Sequence, residues 1–433
     1  MTAPANVVIV GASLAGLRTA EALRERGYSG RLTLIGAELH APYDRPPLSK
    51  QVLAGLVSPM QTTLPRLRSI DAVWRLGAAA SRLDRARRRI EMANGDSVSY
   101  DHVVIATGSR SRAWPIPSEQ ALAGVHSLRT VEDAARLLAD LDESPSRVLI
   151  IGAGFTGGEV ASACRNRGLA VTIVESNAAP LMAAFGKIVG DWIAARQRDA
   201  GVDLRCGVAV TRLLADRSGR VAGAELSDGC SVAADLVVVS IGAVRNCDWL
   251  VGSNLDAGPA GCVCDTNCRA LDRSGAPALD IFVCGEVARF LHPLSDGRLV
   301  SLEHWSAATD QAEVVAANLL NPGSATNDST LPRFWSTQFG VSFKASGLPS
   351  CADLAMVAQG SLESGRFISL YGRKARTIGV VSVNQPKWIT FYEQQIMSRS
   401  RFPFGCRIVD PPENNSPSPA RFSNYSGQTS VPV

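Results

Sequence analysis

This chain has almost no charge imbalance: 44 Lys and Arg stand against 40 Asp and Glu, leaving a net +4 over 433 residues. That is too little to argue for a nucleic-acid partner. No uninterrupted apolar run reaches the roughly twenty residues of a membrane span. An apolar strand pattern already begins at Val7, which leaves no room for a basic, apolar, cleavable leader, so a cytoplasmic protein without a membrane partner is expected. Cysteine is present ten times but not in a metal pattern. Cys262, Cys264 and Cys268 form the one cluster, spaced C-x-C-x3-C, with no second pair and no nearby histidine to complete a zinc tetrad. They are expected to be reduced residues on a strand and its exit loop, and no metal site is expected.

What the chain does have is two glycine-rich turns, Gly11-Ala12-Ser13-Leu14-Ala15-Gly16 and Gly152-Ala153-Gly154-Phe155-Thr156-Gly157. One such motif is weak evidence. Here each follows a Val/Ile run, at residues 7–10 and 148–151, and each precedes an alanine-rich helical stretch, which is the context a dinucleotide fingerprint requires. The glycines permit a tight turn that aims a helix N-terminus at a pyrophosphate. Ser13 takes the middle glycine's place in the first motif, so its side chain is expected to point away from the phosphates. An acidic residue follows about twenty residues beyond each turn, Glu38 and Glu175, as a ribose-binding carboxylate should. Glu175 would repel a 2′-phosphate, and no Lys or Arg follows it before Lys187. NADH is therefore predicted over NADPH. No C-x-x-C or C-x4-C lies just after the first turn, so the redox dithiol of a disulfide reductase is lacking.

The length suggests about three domains. The pattern is an α/β chain with two Rossmann-like units, the first interrupted by the second. Residues 103–106 read as a strand ending in Ala106-Thr107-Gly108, where small residues let the backbone pass close to a cofactor. Residues 236–242 read as the strand closing the insertion, and residues 280–286 as the returning strand of the first unit. A helix is expected over 307–320, then a polar linker over 321–330. A third, α+β unit is expected, with strands near 367–371 and 378–383 and a helix over 389–397. The boundaries are 1–114 with 243–325, 115–242, and 326–410. Residues 411–433, rich in Pro, Ser and Asn, are expected to be a disordered tail.

Three strings together carry a resemblance: Pro42-Tyr43-Asp44-Arg45-Pro46-Pro47-Leu48-Ser49-Lys50, the second glycine turn with Gly158-Glu159, and Glu303-His304-Trp305. From about Val7 to Arg407 the chain resembles the FAD-dependent, NADH-using ferredoxin reductases of bacterial oxygenase systems, relatives of putidaredoxin reductase. The resemblance implies FAD in the first domain, NAD in the inserted one, and a C-terminal domain shielding the flavin. It implies that Arg45 and Lys50 lie along FAD, that Glu159 pairs with Lys50 and helps place the nicotinamide, and that the Trp305 ring lies against the flavin. It further assigns cofactor contact to Leu14, Ala15, Ala80, Arg110, Gly285 and Glu286, and to Phe155, Thr156 and Gly242. By residue type alone, Lys50 reads instead as a solvated loop lysine and Trp305 as a core aromatic.

The implied activity is acceptance of hydride from NADH and delivery of single electrons to an iron–sulfur ferredoxin, of [2Fe–2S] type, by a monomer or homodimer. Ferredoxins are acidic, and Arg110 and Arg112 are expected on the flavin side; the run Arg85 to Arg89 reads as a solvated hairpin turn. Three residues depart from the family pattern. Glu286 stands for an aspartate, Arg245 for a proline of the loop beside the flavin, and Thr337 for an aspartate of the C-terminal segment. These changes leave two alternatives open: a recruited flavin-dependent oxidase or dehydrogenase acting directly on a small molecule, and a flavin-bound interaction protein without turnover.

Overall fold

The computed structural model describes residues 4–322 and 330–403. The expected tail, most of the linker and the end of the third unit lie outside them. Two parallel sheets form the body. In the first, the strand order is Arg269–Leu271, Pro277–Val283, His102–Ile105, Asn6–Val10, Arg31–Ile35, Val73–Arg75. All pairs are parallel except that of the edge strand Arg269–Leu271. The central strands are apolar on both faces because both are covered, one by helices Leu14–Glu25 and Trp305–Leu320 and the other by antiparallel strands bearing Leu83, Ile90 and Met92, and Val7, Val8 and Ile9 are fully buried. Helix Leu14–Glu25 follows the first glycine turn and packs on helix Trp305–Leu320.

The second sheet is wholly parallel, in the order Asp203–Cys206, Ala170–Glu175, Arg147–Ile151, Leu236–Val239, Val125–Ser127. Helix Phe155–Asn166 leaves its second glycine turn. A short antiparallel ribbon, Ser109–Ser111 against Ala243–Arg245, carries the chain between the two sheets in both directions. The third sheet is antiparallel, in the order Arg333–Gln338, Val341–Gly347, Arg376–Val383, Arg366–Arg373, Leu354–Ser361, with helix Ile389–Met397 against it.

Two glycines make the turns obligatory. Gly11 has φ +118°, and a Cβ there would lie 2.0 Å from the carbonyl oxygen of Ala106; Gly152 has φ +98°, and a Cβ would lie 2.3 Å from that of Ser240. Any L side chain would have to displace the neighbouring strand's exit as well as adopt a strained backbone. Cys262 sits in strand Gly261–Val263, with Cys264 and Cys268 also buried. Among the described residues no helix is long and apolar enough to cross a membrane.

Candidate functional site

The C-terminal ends of the first sheet open on a cavity of about 710 Å³, within the roughly 300–1,000 Å³ of ligand-binding clefts. Its floor is the first glycine turn. Gly11, Ser13, Leu14 and Ala15 line it, as do Ala106, Thr107 and Gly108. Ser13 is the N-cap of helix Leu14–Glu25 and makes no side-chain capping bond. This helix end is therefore free to meet an anion. Glu38, Arg45 and Ala80 complete this end. Glu38 accepts from Arg45 Nη2 at 2.6 Å and from the Tyr43 hydroxyl. A positive-φ glycine pressed against a strand exit, a helix N-terminus and a carboxylate at the second strand's end are the parts that hold a dinucleotide. These residues fit FAD.

The opposite end of the cavity brings three units together. Lys50, Glu159 and Trp305 line it, with Phe155 and Thr156 from the second glycine turn and Phe334 and Trp335 from the third sheet. Glu159 Oε2 lies 2.7 Å from Lys50 Nζ, and the lysine also donates to the carbonyl of Pro46 at 3.2 Å. Neither Lys50 nor Trp305 is a solvated or deeply packed residue, as residue type alone suggested. The indole of Trp305 donates to Asp44 Oδ1 at 3.1 Å. Burial raises the Asp44 carboxyl above its ordinary range, against the Trp305 hydrogen bond and the Lys50 charge.

Glu286 also lines the cavity. Its Oε2 accepts from Ser109 Oγ at 2.6 Å and from Arg129 Nη2 at 2.5 Å. Burial alone would raise its carboxyl, but the charge of Arg129, these two hydrogen bonds and the charge of Arg245 outweigh burial and hold it below the usual range. Arg110 lies at the rim, paired with Asp248 at 2.8 Å.

Several expected residues sit elsewhere. Gly16 and Gly285 pack behind the cavity wall, where a Cβ on Gly16 would meet the Gly11 carbonyl and one on Gly285 would meet Ala15. Gly152, Gly154, Gly157, Glu175 and Gly242 lie outside the cavity. Glu175 was expected to face a ribose. In the structure it is buried, and its carboxylate accepts from Ala153 N at 2.7 Å, Asn177 N at 2.8 Å and Asn177 Nδ2 at 2.6 Å, so it anchors the second glycine turn. Arg245, expected as a bulky cation at the site, is buried behind it and joined to Glu303 Oε1 at 2.6 Å. It is Glu303 that reaches the cavity.

Other lining residues carry no signal in spacing. Arg129 precedes the helix cap Thr130, and Ser109 and Asp44 are ordinary in type; only Asp44 falls inside a marker string. His304 lies beside Trp305 with Nδ1 buried and unpartnered. Burial holds its imidazole below the ordinary range, while Glu303 and Glu286 act the other way. An imidazole whose folded pKa lies below its unfolded value of about 6.5 contributes stability above that pH, which is lost as pH falls. Replacing His304 with glutamine is expected to flatten the fall in Tm from about pH 6.5 towards pH 5. An acid limb identical to wild type would refute this.

Residues 5–312 match the pyridine nucleotide-disulphide oxidoreductase family, and residues 333–411 match the reductase C-terminal family. The chain belongs to the pyridine nucleotide-disulphide oxidoreductases. FAD and NAD(H) are the cofactors this membership implies. Within the family it lacks the dithiol after the first glycine turn. It is similar to rhodocoxin reductase of Rhodococcus erythropolis, with 36% identity over 88% of this chain and 87% of that one. It is also similar to the ferredoxin–NAD(+) reductase subunit of a benzene 1,2-dioxygenase system from Pseudomonas putida, with 34% identity over 88% and 90%. Among solved structures, the covalent putidaredoxin reductase–putidaredoxin complex matches with a TM-score of 0.83 and 31% identity, covering 92% of this chain and 94% of that chain.

Proposed function

We propose that this oxidoreductase takes electrons from NADH and passes them singly to an iron–sulfur ferredoxin that feeds an oxygenase. The observation that carries the proposal is the 2.7 Å pair of Lys50 and Glu159. It joins the loop of the first unit to the helix of the second glycine turn at one cavity. FAD held there would supply the conversion between a two-electron donor and a one-electron acceptor. The chain's own residues supply position and charge. Lys50 offers a cation where negative charge develops, and the buried Glu159 keeps that cation in place. Arg129, Glu286 and Ser109 fix the cavity wall. The aromatic rings of Phe155 and Phe334, with centroids 4.2 Å apart, add an apolar wall at the Lys50 end.

The partner we propose is a [2Fe–2S] ferredoxin, met in the cytoplasm by a monomer or homodimer. Exposed Arg110 and Arg112 near the rim would act chiefly on its association rate and salt dependence. Residues 1–114 with 243–325, 115–242 and 326–410 are proposed as the FAD, NAD and C-terminal domains. Anaerobic mixing with NADH and separately with NADPH, followed by addition of oxidised ferredoxin, tests the function. Bleaching of the flavin band by NADH and its return on adding ferredoxin is expected; a band that persists with NADH would sink the proposal.

Glu175 is proposed as a residue that holds the NADH site in shape, through the glycine turn it anchors. Glu175→Ala is expected to raise the KM for NADH about tenfold with little change in kcat, the signature of lost uniform binding. Steady-state rates over a range of NADH concentrations would read it, and an unaltered KM would remove Glu175 from this role.

A further inference from the structure

Strand Arg333–Gln338 lies across helix Phe155–Asn166 in a matched pattern. Side chains of a strand alternate, so Phe334, Ser336 and Gln338 share one face. On the helix, Phe155, Glu159 and Ser162 stand at i, i+4 and i+7 and share another. Phe334 meets the Phe155 ring, and Ser336 Oγ donates to Glu159 Oε1 at 2.5 Å. A Cβ added to Gly158 would lie 2.0 Å from Gln338 Oε1, and the N–H of Phe339 donates to Ser162 Oγ at 2.8 Å. The third sheet is thus pressed onto the helix that carries Glu159.

The Glu159 carboxylate is itself almost fully enclosed. Its Oε2 takes the Lys50 ammonium and the Ser49 hydroxyl, the latter at 2.5 Å, which leaves Oε1 to Ser336. Ser336 is 1% exposed and Glu159 6%, so water does not readily take the hydroxyl's place. A carboxylate with one oxygen unsatisfied would turn towards another donor and away from the line to Lys50.

We propose that Ser336 is a positioning residue for the Glu159–Lys50 pair, so that the C-terminal sheet forms part of the electron-accepting site as well as its cover. This rests on the reductase function proposed above. Ser336 acts through Glu159, and its effect therefore has a distinctive form. In stopped-flow mixing of the FAD-loaded enzyme with NADH, Ser336→Ala is expected to lower the limiting rate of flavin bleaching about tenfold while the Kd for NADH changes less than about twofold. Ser336→Thr, which keeps the hydroxyl, is expected to restore most of the rate. Should the alanine protein be poorly folded, Ser336→Cys, close in size and a weak donor, is expected to show the same loss.

The deciding comparison is a double-mutant cycle. In a Glu159→Gln background, Ser336→Ala is expected to have little further effect on the limiting rate. The same tenfold loss in both backgrounds, or a wild-type limiting rate in Ser336→Ala, would overturn the proposal. Wild-type enzyme that NADH fails to bleach would instead bring down the reductase reading, and this inference with it.

Discussion

Lys50→Met is expected to slow bleaching of the flavin band by NADH by about 10²–10³-fold, with FAD still bound. Methionine keeps most of the lysine's length and removes its charge. In a cavity walled by Phe155, Phe334 and Trp305, a fixed cation is worth far more than in water. The effect has a second source. Glu159 would remain buried beside two hydroxyls without its countercharge, and a carboxylate left unpaired is strongly unfavourable. Glu159→Gln separates the two, because it keeps the side chain's shape while relieving the buried charge. The Lys50→Met, Glu159→Gln double variant is then expected to fold better than Lys50→Met but to be no faster. Rapid-mixing absorbance and thermal unfolding would measure both, and a wild-type bleaching rate in Lys50→Met would show that the cation has no such role.

The second large effect separates the two glycine turns by colour. Gly11→Ala is expected to yield colourless protein, since its Cβ would fall 2.0 Å from the Ala106 carbonyl on the cavity floor. Gly152→Ala is expected to remain yellow yet to lose NADH affinity by at least about tenfold, from backbone strain of roughly 1–3 kcal/mol together with displacement of Ser240. Flavin content after purification and a titration with NADH distinguish the pair. Yellow Gly11→Ala protein, or Gly152→Ala protein that binds NADH normally, would contradict the assignment of FAD to the first turn and NADH to the second.

Much of the frame could be read from local sequence because the signals are local. A Val/Ile run, a glycine turn and an alanine-rich stretch occur within some twenty residues, and the helix expected over 389–397 is the helix Ile389–Met397. The strand expected over 280–286 is found at Pro277–Val283, pairing in parallel with His102–Ile105, while Gly285 and Glu286 fall in the short 3-10 turn that follows it. What could not be read are pairings made at a distance. Ser336 and Glu159 are 177 residues apart, and Arg129 and Glu286 are 157 apart; serine and arginine are too common for type alone to single them out. The same limit explains Arg245 and Glu175. The resemblance put Arg245 beside the flavin and spacing put Glu175 at a ribose, whereas burial and a nearby hydrogen-bonding partner turned the first to Glu303 and the second to its own glycine turn. Strands Arg333–Gln338, Val341–Gly347 and Leu354–Ser361 carry no clear signal because their alternation is broken by buried polar residues, Ser336, Gln338, Ser346 and Gln359.

The ribbon of Ser109–Ser111 and Ala243–Arg245 also dictates an order of assembly. Strand His102–Ile105 leaves the ribosome early, but its neighbour Pro277–Val283 follows only after the whole inserted sheet. The first sheet must wait with a central strand open on one side. The inserted sheet has all its strands within one continuous stretch and can close first. The ribbon then brings the two halves of the waiting sheet together, so a slow-folding insert would expose an apolar strand edge to aggregation, and destabilising changes there should lower yield before they alter turnover.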